Sequence, residues 1–378
     1  MKTMIKILFL IHDLGHGGAE KVLVNLVNNM DCSKFDISVI SLFGGGINEQ
    51  FLKKNIHYRC IWKKGFPGNS KFMKLLTPQQ LHTLCVKEYY DIEVSYLEGP
   101  SARVTSGCLN PYTKLVSWIH VEQHTMDKLA ASFRSKKEAQ ICYSRFDETI
   151  CVSQCVHDDF CRLLNLQKPC TVLYNTVESD KILAESNEPT PELLDTKNKK
   201  LVAVGTLKQS KGYMRLLEVI KRLKEEQYPI HLYILGIGPL QQKMQEYISY
   251  NSIEDAVTLL GYQTNPYKYV GKCDLFVCAS FAEGFSTAVT ESLIVGTPVC
   301  TVNVSGMKEL LGQNNEYGLV VENTDEALYQ GIKRFFVEPE MLKHYAEQAK
   351  IRGKDFSKEK TVQSVEKKLI QLYEEKYD

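Results

Sequence analysis

Short apolar runs recur along the chain, each leading through a turn into a segment with apolar residues at helical spacing. Ile7-Leu-Phe-Leu-Ile11 comes first, wholly apolar and suited to a central parallel strand. Val22, Leu23, Leu26 and Val27 then share one side of a helix. Further strand-like runs cover 35–42, 91–97, 114–120, 147–153 and 171–178, and the second half restarts at 200–204, 229–235, 257–262, 274–280 and 299–304. Strand–helix units repeated in two halves predict an α/β fold. Two doubly wound, Rossmann-like domains would face each other across a cleft.

The pattern lapses into polar sequence between Ser179 and Lys200, through Asn187-Glu-Pro-Thr-Pro-Glu192 and Lys197-Asn-Lys-Lys200. A linker there divides the chain into domains at 1–185 and 186–355. The tail, 356–378, reads as a separate helix with an N-cap serine and with Val362, Val365, Leu369 and Leu372 on one face.

Composition acts mainly by exclusion. With 46 basic and 45 acidic residues the net charge is +1, so no global nucleic-acid footprint exists. Only five apolar residues, 7–11, follow the opening stretch, too few for a signal peptide, and no run approaches the roughly 20 needed to span a bilayer. A cytoplasmic protein, or one lying on a membrane face, is expected. The twelve cysteines include no C-x-x-C and no zinc-like pairing with histidine. Cys151, Cys155 and Cys161 crowd together among ordinary helix residues, and reduced, mostly buried thiols are expected. The segment 62–76 mixes aromatic and aliphatic residues with Lys63, Lys64, Lys71 and Lys74 and no acid. It suits either contact with an anionic membrane surface or an amphipathic helix packed on the N-terminal sheet.

Candidate chemistry gathers where strands hand over to helices. The run 274–280 ends in a loop carrying Glu283 and Gly284, and a helix with Glu291 inside it follows. At the carboxyl end of a strand, the backbone N–H groups around Phe285, Ser286 and Thr287 can face an anion. Glu283 can accept hydrogen bonds from sugar hydroxyls and Glu291 can grip a ribose diol; the plain alternative is a loop acid and a solvated helix acid. Gly17-Gly18, Gly205 to Lys211, and Gly236-Ile-Gly238-Pro239 occupy equivalent turns, and none forms a G-x-G-x-x-G fingerprint. Lys211, near a helix N-terminus, is placed to neutralise a diphosphate. His120 ends the run 114–120, a position open to a structural or a binding role.

Taken together, E-x7-E at Glu283 and Glu291, G-G-A-E at 17–20, G-T-L-K-Q-S-K-G at 205–212 and G-x-G-P at 236–239 resemble the retaining glycosyltransferases of the GT-B fold. The likeness, in particular to glycosyltransferase family 4, covers nearly the whole chain and is densest from Val202 to Leu311. It implies retaining transfer of a sugar, from a UDP-sugar, to a hydroxyl of a glycan or lipid-linked glycan in cell-surface polysaccharide synthesis. By the same resemblance His120, Lys211 and Glu283 are catalytic, and His120 hydrogen-bonds the donor sugar. The glycine loops with Thr206, Pro239, Gly284, Phe285, Ser286, Thr287 and Glu291 bind the donor, and the C-terminal helix crosses back onto the N-domain. No D-x-D motif occurs, so neither a metal nor another cofactor is expected. The chain departs from the family pattern at Thr176, where glycine is usual, and at Thr206, where arginine is usual, which removes one expected diphosphate cation. A non-catalytic sugar-nucleotide-binding subunit and another GT-B enzyme such as a UDP-sugar 2-epimerase are the rival readings.

Overall fold

A computed structural model of the chain describes residues 4–375 apart from His16, Pro67, 166–167 and 191–196. It divides into two units, Met1–Val177 with Lys358–Asp378, and Glu178–Ser357.

The apolar runs of the first unit become β1 (Ile5–Ile11), β2 (Phe35–Phe43), β3 (His57–Trp62), β4 (Ile92–Tyr96), β5 (Lys114–Ile119), β6 (Glu148–Cys151) and β7 (Cys170–Val172). They pair in parallel in the order β3-β2-β1-β4-β5-β6-β7. Helices cover such a sheet on both faces, so its central strands need apolar residues at every position rather than alternate ones. Residues 7–11 of β1 accordingly have no solvent exposure. The final helix, Lys358–Glu374, belongs to this unit and packs on the helix Gly18–Asn29. Lys368 reaches the buried Glu148 of β6 at 2.7 Å.

The second unit repeats the plan with β8 (Lys199–Val204), β9 (Ile230–Leu235), β10 (Val257–Gly261), β11 (Leu275–Cys278), β12 (Val299–Val302) and β13 (Leu319–Val321). Their order is β10-β9-β8-β11-β12-β13, again all parallel. Alternate residues Leu201, Ala203, Leu232 and Ile234 share a core with Leu216, Leu217, Ile220 and Leu223 of the helix Tyr213–Glu225. Each unit is therefore a doubly wound, Rossmann-like α/β domain.

The division falls at 177/178 rather than within the polar stretch that follows. Residues 178–187 form the helix Ser179–Ser186, which buries Ile182 and packs on the helices Tyr267–Val270 and Thr287–Val295. Burying such a side chain contributes roughly 1.5–3 kcal/mol, enough to attach this stretch to the second unit. The segment 62–76 is no single amphipathic helix either. Trp62 ends β3, and only Asn69–Leu75 is helical. Trp62, Phe66, Phe72 and Phe43 make one ring cluster with centroids 5.4–6.3 Å apart, while Phe66, Phe72 and Leu75 keep exposed surface beside the exposed Lys63, Lys64 and Lys71. The expectation that no histidine pairs with the cysteines fails. The helix Gln154–Leu164 sets His157 beside Cys161, and β7 adds Cys170. Folding, not sequence spacing, supplies that third group. Among the described residues no helix is long and apolar enough to cross a membrane.

Candidate active site

In the second unit the chain winds outward from β8 to β10 and then returns to place β11 beside β8. The loops leaving β8 and β11 therefore diverge, which opens a crevice at the carboxyl ends of these strands. Both loops carry predicted site residues, and their backbones touch. Gly212 has φ of +68°, and a Cβ there would stand 1.9 Å from the carbonyl oxygen of Ala279. Only glycine meets both conditions. Phe281 N–H also donates to Ser210 O at 2.8 Å.

That contact brings Lys211 to Glu283. The Lys211 Nζ lies 2.6 Å from Glu283 Oε1, and Ser280 Oγ donates to the same oxygen at 2.6 Å. Glu283 is 9% exposed and Lys211 26%, so one flank of the pair remains open to solvent. Val204, Tyr213 and Ser286 line a small pocket around it. Arg215, which sequence reasoning passed over, fixes the loop from behind. Its guanidinium donates to Ala279 O at 2.7 Å, to Ser280 O at 3.1 Å and to Asn323 Oδ1 at 2.8 Å, and stacks 4.1 Å over Phe281. Arg215 is thus spent on the loop and does not replace the cation missing at Thr206, whose side chain is exposed.

Gly284 leads into the helix Thr287–Val295, whose N-cap Ser286 accepts from Val289 N–H. The Phe285 side chain is buried edge-on against Phe356, so only its backbone can face a ligand. Glu291, one turn into this helix, accepts a 3.0 Å hydrogen bond from Tyr267 OH. The turn 236–239 has a packing role. A Cβ at Gly236, whose φ is +137°, would lie 2.0 Å from Gly205 O, and one at Gly238 would lie 2.5 Å from Leu207 O. These glycines let the loops after β8 and β9 lie together, and Pro239 projects into solvent.

His120, Gly17 and Gly18 form a separate group in the first unit. Gly17 caps the helix Gly18–Asn29, the first helix after β1. His120 follows β5 with 6% exposure, and its N–H donates to Glu98 Oε2 at 3.1 Å. Among the described residues its Nε2 has no partner, and the same holds for Tyr96 OH and Trp118 Nε1, whose rings lie 4.6 and 6.4 Å from the imidazole. Buried polar atoms are nearly always paired, so three orphans in one ring cluster point to a polar ligand or water. Burial pushes His120 down to about 3 and holds Glu98 above the usual carboxylate range. His120 is therefore a neutral hydrogen-bonding group and no cation.

Ser280, Tyr267, Tyr96 and Trp118 were also missed. Ser280 had a local signal, three residues before Glu283. Tyr267 meets Glu291 across 24 positions, and nothing local betrays that.

The family described as "Glycosyl transferases group 1" matches residues 185–352. A relative from Campylobacter jejuni, N-acetylgalactosamine-N,N'-diacetylbacillosaminyl-diphospho-undecaprenol 4-alpha-N-acetylgalactosaminyltransferase, is 30% identical over 97% of this chain and all of its own length. A second from the same organism, an alpha-1,4-N-acetyl-D-galactosaminyltransferase named for a GalNAc-containing diNAcBac-PP-undecaprenol, is 24% identical over 93% of this chain and 95% of its own. Among solved structures, Anabaena Alr3699/HepE in complex with UDP superposes with a TM-score of 0.77 at 18% identity, covering 97% of this chain and 100% of that one.

Proposed function

The chain belongs to the group 1 glycosyl transferases, and within that family we propose that it moves an N-acetylhexosamine or hexose from a UDP-sugar to a hydroxyl of an undecaprenyl-diphosphate-linked glycan, retaining the anomeric configuration as family 4 enzymes do. The Lys211–Glu283 contact at the β8/β11 crevice carries this reading. A diphosphate entering there attracts the Lys211 ammonium and frees Glu283 for hydroxyls of the sugar. The N-terminus of the helix Thr287–Val295 adds its positive dipole end to the phosphates. Glu291 exchanges its Tyr267 bond for the ribose diol, or shares both. His120 Nε2 takes a sugar hydroxyl as the partner it lacks. The names of the Campylobacter relatives support the acceptor, and the UDP in the Anabaena protein supports the donor.

The bond from the anomeric carbon to the diphosphate breaks as the acceptor oxygen attacks from the same face. The acceptor proton passes to the departing phosphate oxygen, and UDP leaves. Lys211 and fixed backbone dipoles, without a metal, stabilise the charge that develops. Calorimetry with UDP and GDP, followed by NMR of the product from an α-linked donor, tests the reading. Tighter binding of GDP removes the UDP assignment, a β-linked product removes retention, and activity abolished by EDTA removes metal independence.

Such an acceptor requires work at a membrane face. Phe66, Phe72 and Leu75, ringed by Lys63, Lys64 and Lys71, offer apolar anchors and about 1 kcal/mol per lysine near an anionic surface. Wild-type protein should sediment with anionic liposomes at low salt, and glutamine at the three lysines should reduce this without touching UDP affinity. Wild-type protein that stays in the supernatant would sink the membrane assignment.

A further inference from the structure

At the far edge of the first sheet the fold gathers sulfur and imidazole that the proposed reaction does not use. His157 and Cys161 stand one turn apart on the helix Gln154–Leu164, with Cys161 Sγ 3.8 Å from His157 Nε2. Cys170 opens β7, and the candidate ligand atoms of His157, Cys161 and Cys170 all lie within 4.8 Å of one another. Cys151, which ends β6, brings its sulfur within 3.7 Å of Cys170 Sγ.

Two independent features point to a cation. Zinc–sulfur bonds of about 2.3 Å at tetrahedral angles put neighbouring sulfurs about 3.8 Å apart, while a disulfide needs about 2.0 Å. The 3.7 Å between the Cys151 and Cys170 sulfurs matches that edge, and the 3.8 Å from Cys161 Sγ to His157 Nε2 is a little wider than the roughly 3.5 Å expected between a sulfur and a nitrogen on one zinc. The second feature is the state of the imidazole. His157 Nδ1 lies 2.8 Å from Asp158 Oδ1 and 3.0 Å from Gln154 Nε2, and in the tautomer that donates to Asp158 the Nε2 lone pair faces Cys161. A carboxylate behind a histidine is the usual second-shell arrangement of a metal-ligating imidazole. Thiolates with imidazole select soft or borderline cations over magnesium and calcium.

We propose that His157, Cys161 and Cys170 bind a soft divalent cation of the zinc class, with the fourth position left to water or, after a side-chain shift, to Cys151, whose sulfur neighbours Cys170 alone. Its place in the fold indicates a structural role. β7 has only three residues and sits at the sheet edge, where pairing on one side alone holds it. A metal bridging β7 and the helix that precedes it would pin that edge.

The full chain, expressed with zinc and desalted against a weak chelator, should carry about one equivalent of zinc, exchangeable for cobalt with thiolate-to-metal charge-transfer absorption. Cys161→Ser and Cys170→Ser should each weaken cobalt binding at least 100-fold, and Asp158→Asn by about 10-fold. Cys155→Ser, a change on the same helix outside the cluster, should leave binding unchanged, and circular dichroism checks that each variant is folded. Pulsed alkylation supplies a readout on the unaltered protein: zinc should shield Cys161 and Cys170 while the exposed Cys32 reacts. Wild-type protein without cobalt absorption, absorption undiminished in the Cys161→Ser, Cys170→Ser double variant, or a Cys151–Cys170 disulfide in protein purified without reductant would each overturn the proposal.

Discussion

The two units prepare their binding groups in opposite ways. In the second, the groups are paired already: Lys211 with Glu283, Glu283 with Ser280, Glu291 with Tyr267. In the first, His120 Nε2, Tyr96 OH and Trp118 Nε1 are buried without a partner among the described residues. A ligand of the second unit must exchange partners, so its net gain is a difference between two sets of strong bonds. A ligand of the first unit relieves desolvated atoms and loses nothing in return.

The largest break in this contrast comes from Lys211→Ala. Removing one partner of a largely buried pair typically costs about 3–5 kcal/mol, because the carboxylate stays behind uncompensated. Glu283 would then keep the Ser280 hydroxyl and the weak Cys278 thiol 3.9 Å away, and no cation among the described residues. Chemical denaturation should show the loss, and UDP binding should become undetectable by calorimetry. Adding Glu283→Gln should recover much of the stability and none of the affinity. A Lys211→Ala protein of normal stability would mean that the pair is not the fixed unit described.

Acid should act next, and through the first unit. The His120 imidazole takes its proton near 6.5 in the unfolded chain and only near 3 in the folded one. Stability is therefore complete above 6.5 and falls as the pH drops towards 3, by an amount of order 2–4 kcal/mol. His82 works from the other side. Burial alone would lower it, but hydrogen bonds to Cys108 and Glu93, the latter at 2.8 Å, raise it to about 9. That contribution is complete below 6.5 and is lost as the pH rises through 9. Melting temperature against pH should fall on both flanks, and His120→Phe should flatten the acid flank alone. An acid flank unchanged in that variant would show that other groups govern it.

Glu291→Ala should cost UDP roughly 1.5–3 kcal/mol, the usual worth of a charged hydrogen bond. Tyr267→Phe should leave UDP affinity equal or better, since it removes one hydrogen bond with which the ribose competes for the carboxylate. Weaker binding in Tyr267→Phe would show instead that the tyrosine orients Glu291 for the ribose.

How much of this was legible follows from where each signal lies. Continuous apolar runs such as 7–11 announce central parallel strands because both faces are covered. Lys211 and Glu283 stand at strand-to-helix turns and Glu291 one turn into the helix that follows, which local spacing reveals. Arg215 was opaque because an arginine on an amphipathic helix reads as solvated. Its real partners, Ala279 and Ser280, lie some 65 positions away. Gly236 and Gly238 read as ligand contacts, yet their first demand is the neighbouring loop. The His157, Cys161 and Cys170 cluster was dismissed on spacing for the same reason: Cys170 joins it only once β7 pairs with β6.

The smallest effect tests whether the second unit can be made to tolerate the loss of its resident pair. Thr206 is exposed on the loop after β8, on the same strand-to-helix connection as Lys211. An arginine there would be a mobile, hydrated cation at the rim, where exposed ion pairs are worth about 0.2–1 kcal/mol. In the Lys211→Ala background, Thr206→Arg should therefore restore UDP binding only about two- to five-fold, and added salt should erase most of the gain. It should restore none of the stability, since an exposed guanidinium does not reach the Glu283 carboxylate behind the loop. Arginine that rescues stability and binding together would place position 206 inside the charge pair. Arginine that rescues neither would mean that the phosphates lie away from this loop, against the helix N-terminus at Thr287.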